Sequence, residues 1–411
     1  MRVEVINTGT ELLLGHVINT HLRLFAEAIF PLGLRIERQV TVPDGSAIRD
    51  ALVEAFARAE IVFVTGGLGP TTDDVTREIT AALLGMELVH DEEVMRAITA
   101  RFARRNLKVS ERVALQALRP REAVVLPNLN GTAPGLYFPA SSERRSPHLF
   151  LLPGPPRELK PMFYDAALPI LKGIVPQTNV EMRSYRIAGL GESAVEELVG
   201  EPLLALGLEL GYCARPGEVD LRTIGAPEIL DRAGAIIAER LGGNVFAQDD
   251  RALEQVIVEL LTTRQETIAT AESCTGGFLA HRLTNVPGAS AVFVEGFVTY
   301  ANEAKVRALG VSASAIEEHG AVSAVVAQAM AEGARRASGA DHALATTGIA
   351  GPGGGSEEKP VGTVFIALAT KLGETIVERQ RYPTDRETFK FLTTQTALNL
   401  LRRSLLEKQS S

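Results

Sequence analysis

Apolar positions along the first third of the chain fall into two alternating rhythms. Short, continuous apolar runs (RVEVINTG, RIERQVTV, IVFVTGG, AVVLPN, HLFLLPG) read as strands. Between the first of them, VINTHLRLFAEAIF, SAIRDALVEAFARA and DVTREITAALLG carry apolar residues at three- and four-residue spacing, the helical period. The first helix stops before Pro31-Leu32-Gly33, Asp44 is placed to cap the second, and Asp73 or Asp74 opens the third. Strands alternating with helices predict an α/β fold, a parallel sheet covered on both faces. In such sheets the loops at the carboxyl ends of the strands form the ligand crevice.

The rhythm then changes twice. Residues 171–250 read as strand, loop and helix, a two-stranded hairpin turning at Arg215-Pro216-Gly217, and a helix with a short strand. That is a small α+β module. From Arg251 onward the α/β alternation resumes: helix RALEQVIVELLTTR, strand TIATAES, strand SAVFVEGFVTY, helix SAVVAQAMAEGARRASG, strand HALATTG, strand GTVFIALAT, and a final helix from Asp385 to Leu406. Three domains are expected, 1–170, 171–250 and 251–411.

Composition narrows the function classes. With 45% hydrophobic and 22% charged residues the chain is ordinary globular protein. A net charge of −8 argues against binding driven by phosphate neutralisation of nucleic acid. The two cysteines, Cys213 and Cys274, have no metal-ligand spacing and suit a reducing compartment. No run approaches the ~20 apolar residues of a membrane span. A cytoplasmic location is expected.

TGGLGPTTDD, residues 65–74, ends one strand and leads into a helix. Glycines there let the backbone approach a ligand and aim N–H groups at it, and the helix start favours an anion. One aspartate would suffice as a cap. Two beside a phosphate nest repel the ligand unless a divalent cation lies between, which oxygen ligands suit. NTGTELLLG, NGTAPG and LPGPPRELKPMF follow other strands and add Glu11 and Glu158.

These motifs resemble the molybdopterin-binding, MoaB/MogA-like fold in the form found in CinA proteins, a three-layer α/β domain. The resemblance implies a metal-dependent ADP-ribose pyrophosphatase yielding AMP and ribose 5-phosphate. Asp73, Asp74, Glu11 and Glu158 would hold Mg, Mn or Co or activate water, and Gly66, Gly67, Gly69 and Thr71 would cradle the diphosphate. Relatives of this fold adenylylate molybdopterin, so cleaving and forming a diphosphate both stay open.

In the last third, TAESCTGG (270–277) again makes strand, sharp turn, helix, with Ser273 at the turn. The amides of Cys274, Thr275 and Gly276 could form an oxyanion hole, while a simple N-cap would equally suit a serine. A nucleophilic serine needs a base. His281 lies about two turns down the same helix and is poorly placed. Lys305 is one of eight lysines among 42 basic residues, and burial could let it lose its proton. Tyr300 at the preceding strand end could relay a proton. Cys274 lacks a histidine partner and reads as a packing residue.

TAESCTGG, EGFVTYANEAK and TTGIAGPGGG in this order resemble the PncC-type nicotinamide mononucleotide deamidases over about 251–406. The resemblance implies a metal-free, cofactor-free α/β amidohydrolase with Ser273 as nucleophile, Lys305 as general base and Tyr300 as assistant. Cys274, Thr275, Gly276, Thr347, Gly348 and Gly351 would bind the nucleotide. Where relatives carry a late DRxxxR pattern this chain has DRETFK, so Arg386 or Lys390 would hold phosphate. The middle piece resembles the KH-type module of CinA proteins, but GLGES lacks a basic GxxG clamp for RNA. Soluble nucleotides, a homodimer and, by family resemblance, a recombination-protein partner are the expected partners; nucleic acid and membrane are not. A molybdopterin-processing enzyme and a non-catalytic partner in competence or recombination remain alternatives.

Overall fold

The computed structural model describes residues 1–176 and 179–407, in two compact units, Met1–Val180 and Glu181–Ser411. The first unit holds β1 (Arg2–Thr8), β2 (Arg35–Val42), β3 (Ile61–Thr65), β4 (Leu88–His90), β5 (Leu118–Pro120), β6 (Val124–Leu126), β7 (Gly135–Phe138) and β8 (His148–Leu152). Six of them form one sheet in the order β2-β1-β3-β8-β7-β6, and β4 and β5 pair separately. β2, β1, β3 and β8 run parallel, whereas β7 and β6 are antiparallel additions, so the sheet is mixed rather than wholly parallel. β1 and β3 are buried along almost their whole length, as expected for strands covered on both faces. On one face Phe25, Phe63, Phe150 and Phe163 pack together, stacked or tilted, with ring centroids 4.8–5.7 Å apart. Each such burial contributes about 1.5–3 kcal/mol.

Pairing places Asn7 beside Thr65 and Thr65 beside Leu152, so β1, β3 and β8 end side by side. Their following loops must therefore share one crevice. Three local expectations are corrected here. The helix expected from Val17 begins at His21, because the Asn19 side chain accepts the His21 amide and turns the chain first; Val17 and Ile18 are exposed. Asp44 does not cap the helix Ser46–Phe56, whose N-cap is Gly45; its carboxylate accepts from the amide and hydroxyl of Thr10 instead. Neither Asp73 nor Asp74 caps the next helix, Thr76–Leu84, whose N-cap is Val75 with no side-chain bond.

The second unit contains two sheets. β9 (Glu181–Ala188), β10 (Glu209–Arg215), β11 (Glu218–Gly225) and β12 (Val245–Ala247) form an antiparallel sheet ordered β10-β11-β9-β12. β13 (Ile268–Glu272), β14 (Phe293–Val298), β15 (His342–Gly348), β16 (Thr363–Thr370) and β17 (Ile376–Arg381) form the other, ordered β14-β13-β15-β16-β17. Buried polar contacts join the two: Arg186 pairs with Glu218, Gln395 donates to Glu218, and Arg282 donates to Gln395. β13 runs parallel to both β14 and β15, with Glu272 opposite Val298 and Thr346. The chain thus leaves β13, β14 and β15 at one sheet edge. No helix among the described residues is long and apolar enough to cross a membrane.

The helix Ala324–Ser338 presses on the helix Asn302–Leu309 so closely that a Cβ on Gly333 would lie 2.0 Å from the Leu309 carbonyl oxygen. In an exposed helix Gly→Ala stabilises by about 1 kcal/mol. Here overpacking, typically about 1–3 kcal/mol, opposes that gain and wins because the clash is with backbone. Gly333→Ala should therefore lower the melting temperature. A thermal scan showing it unchanged or raised would contradict this packing.

Candidate functional site

Because Glu272 ends β13 and Val298 ends β14 in register with each other and with Thr346, two residues before the end of β15, the residues that follow meet at the sheet edge. Ser273, partly exposed, donates its amide to the Thr346 carbonyl at 2.9 Å, and the Thr299 amide donates to the Glu272 carbonyl at 2.9 Å. Lys305, from the helix Asn302–Leu309, is 1% exposed, and its Nζ lies 3.1 Å from Ser273 Oγ. The same nitrogen donates to the carbonyls of Thr299 at 2.9 Å and Tyr300 at 3.2 Å. Burial lowers the Lys305 pKa from its ordinary value, against the opposing influence of Cys274 and Glu303. An ammonium satisfies all three oxygens. A neutral amine gives its two hydrogens to the carbonyls and turns its lone pair on the serine hydroxyl. The proton can therefore move without rearranging the site.

The turn is braced from beneath. Glu272 is fully buried, and its carboxylate accepts the amides of Gly277 at 3.0 Å, Leu279 at 2.9 Å and Ala280 at 2.8 Å. This negative group at the start of the helix Phe278–Thr284 fixes the residues that follow the serine. The Gly276 amide donates to the Ser273 carbonyl at 3.2 Å and is thus committed, leaving Cys274 and Thr275 as the oxyanion-hole candidates.

Around this centre the expected residues separate by role. The Tyr300 phenol, exposed, accepts from Arg386 at 3.1 Å, so what Tyr300 turns toward Lys305 is its carbonyl and not its hydroxyl. Arg386 also donates to the Gly351 carbonyl at 3.0 Å and so bridges two strand-end loops. Lys390, one turn further along the final helix Arg386–Glu407, lies 6.0 Å from the Phe278 ring centre, and a Cβ on Gly276 would sit 3.8 Å from its Nζ. Lys390 therefore flanks the turn, while Arg386 stands over the loops at Tyr300 and Gly351. Thr347 and Thr275 have buried side chains committed elsewhere: Thr347 donates to the Ala321 carbonyl and Thr275 pairs with Thr346, each at 2.7 Å. A Cβ on Gly348 would meet the Thr363 carbonyl at 2.8 Å, which explains that glycine by strand packing.

In the first unit, the loops after β1, β3 and β8 line a cleft of about 510 Å³. Gly66, Gly67, Gly69, Asp73, Asp74, Glu11 and Glu158 all face it, joined by Asp44 and His21. Gly66 and Gly67 have positive φ, and a Cβ would run into Thr8 or Thr76, so the loop requires glycine whatever it binds. Thr71 is not on the wall; its amide and hydroxyl both donate to the Asp74 carboxylate. Glu158 accepts from Asn128 at 2.7 Å. Among the described residues no three acidic, His or Cys side chains come together as a metal cage. Carboxylates on separate loops around one cleft fit instead a Mg²⁺-type ion, which binds through one or two carboxylates together with substrate phosphates.

Sequence patterns had no signal for several of these residues. His21 is buried against Thr65 at 3.1 Å, and burial lowers its pKa, so its ring is neutral at neutral pH. Gln116 comes from a distant turn. Asp44 reads from the sequence as a helix cap and Glu272 carries no signal there; the partners of both emerge only in the fold.

Cys274 is buried and its thiol is pushed up to about 12 by desolvation, whereas Cys213 is exposed. Iodoacetamide at neutral pH should label Cys213 in the native protein and leave Cys274 unmodified, as read by peptide mass spectrometry. Native labelling of Cys274 at a comparable rate would contradict its assignment as an inert packing group.

Residues 250–405 match the family described as CinA C-terminal domain, and residues 4–173 match the family described as Probable molybdopterin binding domain. A CinA-like protein of Akkermansia muciniphila is 47% identical over 97% of this chain and 96% of its own length. A Moorella thermoacetica protein with a competence-damage inducible name is 44% identical over 98% of this chain and 99% of its own. The crystal structure of the competence/damage inducible protein CihA from Agrobacterium tumefaciens covers 37% of this chain and 93% of that one, at 45% identity and a TM-score of 0.37. With a molybdopterin-binding-type α/β domain in front, a CinA C-terminal α/β domain behind and relatives matching across both, the chain belongs to the CinA family.

Proposed function

We propose that this chain is a bifunctional pyridine-nucleotide hydrolase, deamidating nicotinamide mononucleotide in its second unit and cleaving ADP-ribose in its first. The observation that carries the deamidase reading is the buried Lys305 amine 3.1 Å from Ser273 Oγ, backed by two carbonyls. Lys305 takes the serine proton as Oγ attacks the carboxamide carbon. The amides of Cys274 and Thr275 receive the developing oxyanion. The proton returns to the leaving nitrogen, ammonia departs and an ester to Ser273 remains. Water, activated by the same amine, releases nicotinate mononucleotide and restores the serine. Arg386 and Lys390 supply the positive rim for the nucleotide phosphate.

For the first unit, the reading rests on glycine loops and carboxylates facing one cleft. A divalent ion bound there with the substrate would neutralise the diphosphate and polarise the bond to be cleaved. The Gly66 amide is committed to the Leu152 carbonyl at 3.0 Å, so the chain's own part is to hold the diphosphate on the Gly67–Gly69 amides and to set Asp73, Asp74, Asp44, Glu11 and Glu158 around it. AMP and ribose 5-phosphate leave as products.

Ser273→Ala should lower deamidation by about a thousandfold or more, since removing a nucleophile is among the largest catalytic losses. The same variant should cleave ADP-ribose at the unaltered rate. Lys305→Met should match it. Deamidation surviving in either variant would end this mechanism.

The pH dependence follows from the sign of the Lys305 shift. The folded pKa lies below the usual lysine value, and the base is the neutral form. Deamidation kcat/KM should therefore rise with pH through that lowered pKa and then level off. A profile with no acid limb assignable to one proton would contradict Lys305 as base. Chelator should abolish ADP-ribose cleavage and spare deamidation; equal loss of both would contradict a metal-free serine site.

A further inference from the structure

Two buried polar atoms on the wall of the first unit's cleft, Asn19 Nδ2 and Gln116 Oε1, have no partner among the described residues, and only the second is an acceptor. Gln116, in the turn Leu115–Ala117, is 1% exposed and lies on the cleft wall. Its Nε2 donates to the Leu68 carbonyl at 3.3 Å. That contact fixes which way the amide points, because the reversed group would set two acceptors face to face. Its Oε1 is therefore an acceptor, buried, and without a partner among the described residues. A buried acceptor left unpaired costs free energy that a ligand donor would recover.

We propose that Gln116 is a specificity-determining residue that accepts a hydrogen bond from a ribose hydroxyl next to the diphosphate; this rests on the ADP-ribose reading above. Three constraints select that group. The partner must be a donor, and a diphosphate at neutral pH offers only acceptors, so Gln116 does not bind phosphate. Leu68, which holds the Gln116 amide through Nε2, belongs to the Gly66–Gly69 loop, so the Gln116 amide group packs against the diphosphate cradle. In a nucleoside diphosphate sugar, the donors closest to the diphosphate are the hydroxyls of the two flanking riboses. A site built to pair with a hydroxyl rejects an analogue lacking it strongly, because the buried acceptor then goes unpaired.

The test begins on the ligand and needs no variant. ADP-ribose and its four monodeoxy analogues, each lacking one 2- or 3-hydroxyl on either ribose, are compared by kcat/KM with Mg²⁺ and by calorimetric Kd with Ca²⁺ in its place. One analogue should lose about tenfold or more while the others stay close to ADP-ribose. In Gln116→Met, of similar volume and without the amide, ADP-ribose should fall to the level of that analogue and the discrimination should vanish. If all four analogues behave within about twofold of ADP-ribose, as they would were water the partner of Oε1, the proposal is overturned while the pyrophosphatase reading stands. Discrimination that persists undiminished in Gln116→Met overturns it equally. Failure of the unmodified protein either to bind or to cleave ADP-ribose removes the underlying reading and the proposal with it.

Discussion

In-register parallel pairing is the constraint from which both candidate sites follow. A parallel strand delivers its carboxyl end to the same edge as its neighbour's, so the loops that follow are brought together whatever their sequence separation. In the first unit this aligns Asn7, Thr65 and Leu152, and the three loops after them become walls of one cleft. In the second unit it aligns Glu272, Val298 and Thr346, and a serine, a lysine and a glycine-rich loop converge. A one-residue slip of β14 against β13 would displace the Thr299 and Tyr300 carbonyls from Lys305 and break the hydrogen bonds that hold its amine.

The two sites solve the problem of charge in opposite ways. Lys305 is buried, and its environment favours the uncharged amine while still providing three oxygens for its hydrogens. The site is assembled before any ligand arrives. Glu272 extends the same logic: a buried carboxylate is tolerated because three amides meet it, and it holds the turn that presents the serine. The first unit instead leaves its carboxylates around an open cleft, several on separate loops, with Asp74 and Glu158 held by neutral donors.

Glycine illustrates how one residue type serves different ends. At Gly66 and Gly67 the backbone conformation and the proximity of Thr8 and Thr76 both demand it, and the loop can then approach a ligand. At Gly333 the demand comes from an adjacent helix, and that contact supports the segment carrying Lys305. Sequence shows the glycine in each case but not which neighbour requires it.

The sequence by itself determined the alternation of strands and helices, the motifs at strand ends, and hence the family and the identities of Ser273 and Lys305 as a candidate pair. Those features are local: apolar period, turn residues and short motifs are written in consecutive positions. Tertiary structure alone decided what each polar side chain faces. It turned the Tyr300 hydroxyl to Arg386, tied Thr71 to Asp74 and Thr347 to Ala321, moved Asp44 from a helix cap to Thr10, and brought in Glu272, His21 and Gln116. The physical reason is that a hydrogen-bond partner is chosen by proximity in the packed fold among residues far apart in the chain, and no periodicity along the chain records that choice.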